Sequence, residues 1–167
     1  MSTDFANDKI LGGALLGWWR SLRDDPGGRA QLKRAHDITS VVLTPAFQRA
    51  RHRLIAAGWK ARAAGSFYED GLAAAVGLVA HVKDHAEGIS MPRAMGERVS
   101  ELRFMRLLDA PDAQAVFVGA RRLMPLIDSA SGNGLDVRTL ARDIVNWGDQ
   151  TKKRWSYEYA WPQRAAS

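Results

Sequence analysis

Residues 112–129 read DAQAVFVGARRLMPLIDS, and this stretch gives the clearest indication of the fold class. Its apolar residues recur at intervals of three and four, the spacing that places side chains on one face of an α-helix. The apolar face consists of Ala113, Val116, Phe117, Ala120, Leu123, Met124 and Ile127. At about 100° per residue, Arg122 lies opposite this face and is expected to point to solvent, with Arg121 on the flank.

The same periodicity extends along the chain in both directions, without the strict alternation of a β-strand. We predict helices over 8–22, 29–36, 44–57, 69–84, 99–109, 112–129, 136–147 and 149–160. Residues 24–28 are expected to form a turn and residues 88–96 a loop, because both stretches combine proline with glycine. Thr44, Asp112 and Asp136 are the residue types that cap helix N-termini.

Short connections between consecutive helices favour antiparallel packing. The predicted fold class is therefore all-α, a helical bundle with an N-terminal and a C-terminal helical lobe packed together. The N-terminal lobe would cover residues 1–90 and the C-terminal lobe residues 91–167.

The helix over 99–109 differs from its neighbours because its apolar residues surround most of its circumference. Such a helix is expected to be largely buried. Arg103 and Arg106 share one narrow strip of it, so the Arg103 stem should be packed while its guanidinium reaches outward. The alternative is that both arginines pair with local carboxylates such as Glu97 or Glu101.

Composition limits the classes of protein that are possible. The 167 residues include no cysteine, which excludes disulfides and cysteine-based zinc sites and fits a reducing cytoplasm. The first ten residues are polar and acidic, unlike a secretory signal peptide. The apolar runs are short and interrupted, so no membrane span is predicted.

The net charge of +6 is concentrated in one part of the sequence. Residues 29–62, the basic segment, contain eight lysines and arginines and one acidic residue, Asp37, and so carry +7. A concentrated positive field attracts polyanions such as nucleic acids. The alternative is a solvated basic face that aids solubility.

The residues do not form a recognisable catalytic constellation. His81 and His85 are four apart on one predicted helix, a spacing that can hold a metal, but Val82 stands where a zinc-protease motif has glutamate. Two surface histidines are the simpler interpretation. The carboxylates are dispersed, so we predict a protein that is not an enzyme and has no cofactor or metal. At least four of the six tryptophans are expected to be structural.

Several motifs, taken in order, resemble one family. They are WWRSL (18–22), RAQLKRA (29–35), TPAF (44–47), GISMPRAMG (88–96), VSELRFMRLLDAPD (99–112), VGARRLMPLIDSA (118–130) and LDVRTLARDIVNWGDQTKKRWSYEYAW (135–161). The chain resembles the CasB family, the small subunit of the type I-E CRISPR Cascade complex. Met91 and Pro92 stand where the family usually has leucine and glycine.

The resemblance implies an all-helical, non-catalytic subunit that braces the hybrid of guide RNA and target DNA and guides the displaced strand. Its partners would be these nucleic acids, the other Cascade subunits and a second copy of itself. The motifs assign nucleic-acid binding to Lys33, Arg34, Arg93, Arg103, Arg121 and Arg122. We add Lys152 and Lys153 because of the local charge. The alternatives are a stand-alone helical DNA-binding protein and a helical enzyme that uses His81 and His85.

Overall fold

The structure is a computed structural model, and it describes residues 2–128 and 134–163. Across these two ranges the chain forms ten α-helices and one 3₁₀ turn, Leu22–Asp24. The helices are α1 (Lys9–Ser21), α2 (Pro26–Arg34), α3 (Ile38–Val42), α4 (Pro45–Ala56), α5 (Phe67–Val79), α6 (Met91–Met95), α7 (Glu101–Leu108), α8 (Ala113–Asp128), α9 (Val137–Val145) and α10 (Asp149–Glu158). The predicted all-α class is confirmed, and the one β-type pairing in these ranges is an isolated bridge between His85 and Leu135.

Side-chain caps fix where most helices begin. The three predicted caps are confirmed: Thr44 accepts a hydrogen bond from the Phe47 amide at 3.1 Å, Asp112 from Ala115 at 2.9 Å and Asp136 from Thr139 at 3.2 Å. Each such cap satisfies an amide that the first helical turn leaves without a partner, and contributes about 1 kcal/mol. The same arrangement recurs at Asp8, Asp25, Asp37, Ser66, Ser90 and Ser100.

Two stretches that we predicted to be irregular are helical in part. The expected turn at 24–28 contains the start of α2, because Asp25 accepts a hydrogen bond from the Gly28 amide and Pro26 suits the first helical position. The expected loop at 88–96 contains α6, which Ser90 caps. Proline and glycine therefore marked helix boundaries here rather than whole loops.

Helix α5 lies at the centre of the molecule and packs against α8 and α9. Its residues from Gly71 onward are buried. A Cβ atom at Gly71 would come within 2.9 Å of the Val145 carbonyl oxygen, and one at Gly77 within 2.8 Å of the Phe117 ring. Both glycines therefore permit close helix packing. Helix α1 also contacts α9, so helices from both sides of residue 90 share one apolar core. The division into two lobes stays a prediction.

The prediction of a largely buried helix over 99–109 is wrong. In α7 only Phe104 and Leu107 are buried, whereas Leu102 is 59% exposed and Met105 49% exposed. The main helical neighbour of α7 is α8, and a helix packed on one side buries only the residues that face its neighbour. The position of α7 therefore leaves an apolar and basic surface open.

Aromatic residues close the C-terminal end of the core. The Tyr159 ring stacks on Phe104 with 4.0 Å between ring centroids, and its hydroxyl donates to the Val99 carbonyl at 2.5 Å. Four tryptophans are buried, which confirms that at least four are structural: Trp18, Trp59, Trp147 and Trp155. None of the helices in the described ranges is long and apolar enough to cross a membrane.

Candidate nucleic-acid interface

The basic segment, residues 29–62, is less free than its charge suggests. Arg29 donates to the carbonyl oxygens of Ala80 and Val82, at 3.1 and 3.3 Å, beyond the C-terminus of α5. A cation there complements the negative end of the helix dipole. Arg51 forms an ion pair with Glu69 on α5. Two of the eight cations therefore serve mainly to join helices.

Glu69 is a buried carboxylate with several donors. Besides Arg51, it accepts hydrogen bonds from the indole of Trp59 and the backbone amide of Arg62, both at 3.1 Å. Burial acts to raise the pKa of Glu69, but these donors outweigh burial and lower the pKa below its ordinary value. The folded state thus holds Glu69 in its charged form.

We expect Glu69→Gln to destabilise the protein at neutral pH by about 1.5–3 kcal/mol, the range for hydrogen bonds to charged groups. Because the pKa of Glu69 is lowered on folding, its contribution is present at neutral pH and is lost as the pH falls through and below about 4.5. Urea unfolding at pH 7 and pH 4 should therefore show a smaller difference between variant and wild type at the lower pH. An equal difference at both values would contradict this.

The first of three basic surface sites lies where α2 ends against α8. Arg121 Nη2 donates to the Lys33 carbonyl at 3.0 Å, the Lys33 side chain is half-buried, and Arg34 is exposed. We call Lys33, Arg34 and Arg121 the α2–α8 site. The three residues have different roles. Arg121 holds α8 to α2, whereas the side chains of Lys33 and Arg34 project from the end of α2.

His81 lies close to this site and is buried rather than a surface histidine, which corrects our prediction. Burial, together with the positive charges of Arg121, Lys33 and Arg29, lowers the pKa of His81 to about 4. The imidazole is therefore neutral at neutral pH and adds no charge to the α2–α8 site.

The second site is a groove between α7 and α8 with a volume of about 730 Å³. Three arginines line it, Arg103 and Arg106 from α7 and Arg122 from α8, around an apolar floor that includes Leu107 and Leu123. All three are exposed, which confirms the expected exposure of Arg122. Among the described side chains, no carboxylate pairs with any of them, so the alternative of pairing with Glu97 or Glu101 is wrong.

Arg103 departs in one respect from its prediction. We expected the aliphatic stem of Arg103 to be packed against its neighbours. The residue as a whole is exposed, because α7 forms only one wall of the groove. The groove between α7 and α8, which we call the α7–α8 groove, thus presents three guanidinium groups to solvent with few competing interactions.

The third site is a cleft of about 700 Å³ near the C-terminus, which we call the C-terminal cleft. Its lining includes four cations, namely Arg93, Arg142, Lys153 and Arg154. Glu158 lies 3.5 Å from Arg93 Nε and 3.7 Å from Arg154 Nε, and so neutralises part of this charge. Lys153 is exposed and forms no ion pair with the carboxylates described.

Beneath this cleft lies Asp143, a fully buried carboxylate on α9. It accepts hydrogen bonds from Arg142 Nε at 3.0 Å, from Trp155 Nε1 at 2.8 Å and from Arg154 Nη2. Burial raises the pKa of Asp143, although the donors act in the opposite direction. Asp143 therefore ties α10 to α9 and orients two of the cations of the cleft.

The structure brings some predicted residues together and separates others. Arg103 and Arg122 meet across the α7–α8 groove, and Arg93 and Lys153 meet across the C-terminal cleft. Lys152 does not line the cleft, because its ammonium lies over the Trp147 ring at 5.7 Å. Three cations that line the groove or the cleft are missing from our predicted site residues: Arg106, Arg142 and Arg154. The sequence could have identified Arg106, because it follows Arg103 by three residues and shares its side of the helix.

The histidine pair has no metal-binding geometry. Helix α5 ends at Val79, so His81 and His85 do not lie on a common helix. His85 Nδ1 accepts a hydrogen bond from the Val137 amide at 3.2 Å. In the part of the chain that the structure describes, no group of three or more histidine and carboxylate residues could hold a metal ion.

Fold and surface together define an all-α protein with basic clefts between its helices. Residues 28–159 match the family model of the CRISPR-associated protein Cse2. The chain therefore belongs to the Cse2 family, which confirms the resemblance to the CasB small subunit of type I-E Cascade.

Solved structures of the same fold agree with this family. One is a chain in the crystal structure of E. coli Cascade bound to a PAM-containing double-stranded DNA target, with a TM-score of 0.67, 24% identity, and coverage of 87% of this chain and 93% of that one. Another is CasB from Thermus thermophilus, with a TM-score of 0.63, 23% identity, and coverage of 89% and 96%. A search of curated proteins finds no match.

Proposed function

We propose that the protein is a non-catalytic small subunit of a type I-E Cascade complex that holds nucleic-acid backbones. In such complexes the guide RNA reads sequence by base pairing, while protein subunits bind backbones and single strands. The bound strands would be the guide RNA with its target DNA and the displaced DNA strand. The other partners would be the remaining Cascade subunits and a second copy of this chain, in the cytoplasm.

The α7–α8 groove is the observation that carries this proposal. Arg103 and Arg122 come from different helices and face one groove, where like charges repel and no described carboxylate offsets them. Phosphate oxygens remove that repulsion and accept the paired N–H donors of a guanidinium. Contacts of this type position a backbone without reading its sequence. The resemblance to the small subunit supports the same role.

The direct test reverses both arginines in the assembled complex. We expect Arg103→Glu/Arg122→Glu to join tagged Cascade subunits normally and to unfold at the same temperature as the wild-type chain, because both side chains are exposed. R-loop formation should fall by about tenfold or more, since each charge-assisted hydrogen bond contributes about 1.5–3 kcal/mol.

The matched control is Lys9→Glu/Arg20→Glu, which changes the net charge equally on exposed positions of α1, outside the three basic sites. The control should form R-loops like wild type. If the two variants behave alike, or if the groove variant no longer joins the complex, the groove does not hold a backbone. Tight duplex binding by the isolated chain, without association with tagged Cascade subunits, would instead favour a stand-alone DNA-binding protein.

A further inference from the structure

One aromatic side chain at the C-terminal cleft is almost fully exposed. Tyr157 is 91% exposed, whereas Tyr159, two residues further, is buried. Tyr157 makes no ring contact within the described residues. Exposing a large ring in this way forgoes the stabilisation that its burial would provide. A ring in this position is available to stack on a ligand.

The surroundings of Tyr157 are suited to phosphate. Lys153 and Arg154 precede it by four and three residues on α10, which places all three side chains on neighbouring positions of one helix face. The same cleft is lined by Arg93 and Arg142 from α6 and α9. Three separate helices therefore direct cations toward the space beside the ring.

The C-terminal cleft has a net positive charge, and its arginines are held in place. Among the described residues, two carboxylates pair with the arginines of the cleft, Asp143 and Glu158, against its four cations. Asp143 orients Arg142 and Arg154 from beneath, so these guanidinium groups need little ordering when an anion binds. The volume of about 700 Å³ lies within the range of ordinary ligand pockets, about 300–1,000 Å³.

We propose that the C-terminal cleft binds an unpaired nucleotide, with its base stacked on Tyr157 and its phosphate between Arg93 and Lys153. This inference rests on the proposed function and adds a single-strand preference to it. Bases within a duplex are stacked on one another, so only an unpaired base offers a free face to the tyrosine ring. Every base has such a face, and the site therefore does not depend on sequence.

The test compares intact single-stranded oligonucleotides with abasic oligonucleotides of the same length, binding to the full chain. We expect the wild-type chain to bind the intact strand about fivefold more tightly or better, the lower end of the range for stacking on one aromatic side chain. Tyr157→Ala should abolish this preference, and Tyr157→Phe should keep it, because the ring and not the hydroxyl stacks. A 2-aminopurine base in the strand should be quenched by the wild-type chain and not by Tyr157→Ala.

Phe67→Ala is the matched control, because Phe67 is 56% exposed and lies outside the three basic sites. It should retain the preference for intact strands. Full retention of that preference by Tyr157→Ala, or equal binding of intact and abasic strands by the wild-type chain, would overturn the inference. Repeating the comparison with DNA and with RNA oligonucleotides shows which type of strand supplies the unpaired nucleotide.

The two proposals fail in different ways. If the cleft does not stack a base, abasic strands still bind with a steep dependence on salt, and the proposed backbone role stands. If the backbone role itself is wrong, abasic strands bind weakly and with little dependence on salt. Tyr157→Ala removes no charge and should leave the salt dependence unchanged, whereas Lys153→Glu should reduce it.

Discussion

Reversing Lys33 and Arg34 to glutamate is expected to weaken nucleic-acid binding by about 10- to 100-fold at low salt. Each phosphate contact contributes about −0.7 to −0.9 to the slope of log K against log salt concentration, so losing two contacts should flatten the slope by about 1.5. The fold should tolerate the change, because Arg121 binds the backbone carbonyl of Lys33 and not its side chain.

Fluorescence anisotropy with a labelled single strand, titrated over a range of salt concentrations, measures both quantities. Lys9→Glu/Arg20→Glu carries the same change in net charge and separates a local contact from a general electrostatic effect. We expect this control to bind somewhat more weakly with nearly the wild-type slope. If the two double variants have the same slope, the α2–α8 site is a solvated face without phosphate contacts.

Asp143→Ala is expected to cause the largest loss of stability among the changes considered. Removing one partner of a buried ion pair costs about 3–5 kcal/mol, because the groups left behind lose their compensation. Here the lower end applies, since Arg142 and Arg154 are partly exposed and can turn toward water. At about 2–4 °C per kcal/mol for a chain of this size, the melting temperature should fall by about 6–12 °C.

Thermal melts of three variants test this assignment. Asp84→Ala removes an exposed aspartate and should change the stability by no more than about 0.5 kcal/mol. Asp143→Asn keeps an acceptor for the Trp155 indole but removes the charge, and should melt between Asp143→Ala and wild type. A melting temperature for Asp143→Ala within about 2 °C of wild type would contradict the role of Asp143.

Much of the fold could be predicted from the sequence, because helix formation depends on residues close together in the chain. The apolar face of α8, the caps at Thr44, Asp112 and Asp136, and the exposure of Arg122 all follow from local spacing. The order of the motifs also indicated the family, which the match over residues 28–159 confirms. Part of the predicted helix over 112–129 falls on residue 129, outside the described residues.

The sequence does not show which cations are free, because their partners come from distant parts of the chain. The sequence showed eight cations against one carboxylate in residues 29–62, yet Arg51 pairs with Glu69, 18 residues away, and Arg29 binds carbonyls more than 50 residues away. Arg121 and Arg122 are adjacent in sequence, but one joins α8 to α2 and the other faces α7. Local periodicity predicts the direction in which a side chain points from its helix. It does not predict which other helix lies in that direction.

The α7–α8 groove and the C-terminal cleft also depend on how the helices pack against one another. Arg93 and Arg154 both approach Glu158, although they are 61 residues apart, because α6 packs against α10. The exposure of Met105 likewise follows from the absence of a second helical layer over α7 among the described residues. Local sequence therefore predicts most of the helices and the amount of charge, whereas long-range packing determines where positive charge remains without a partner.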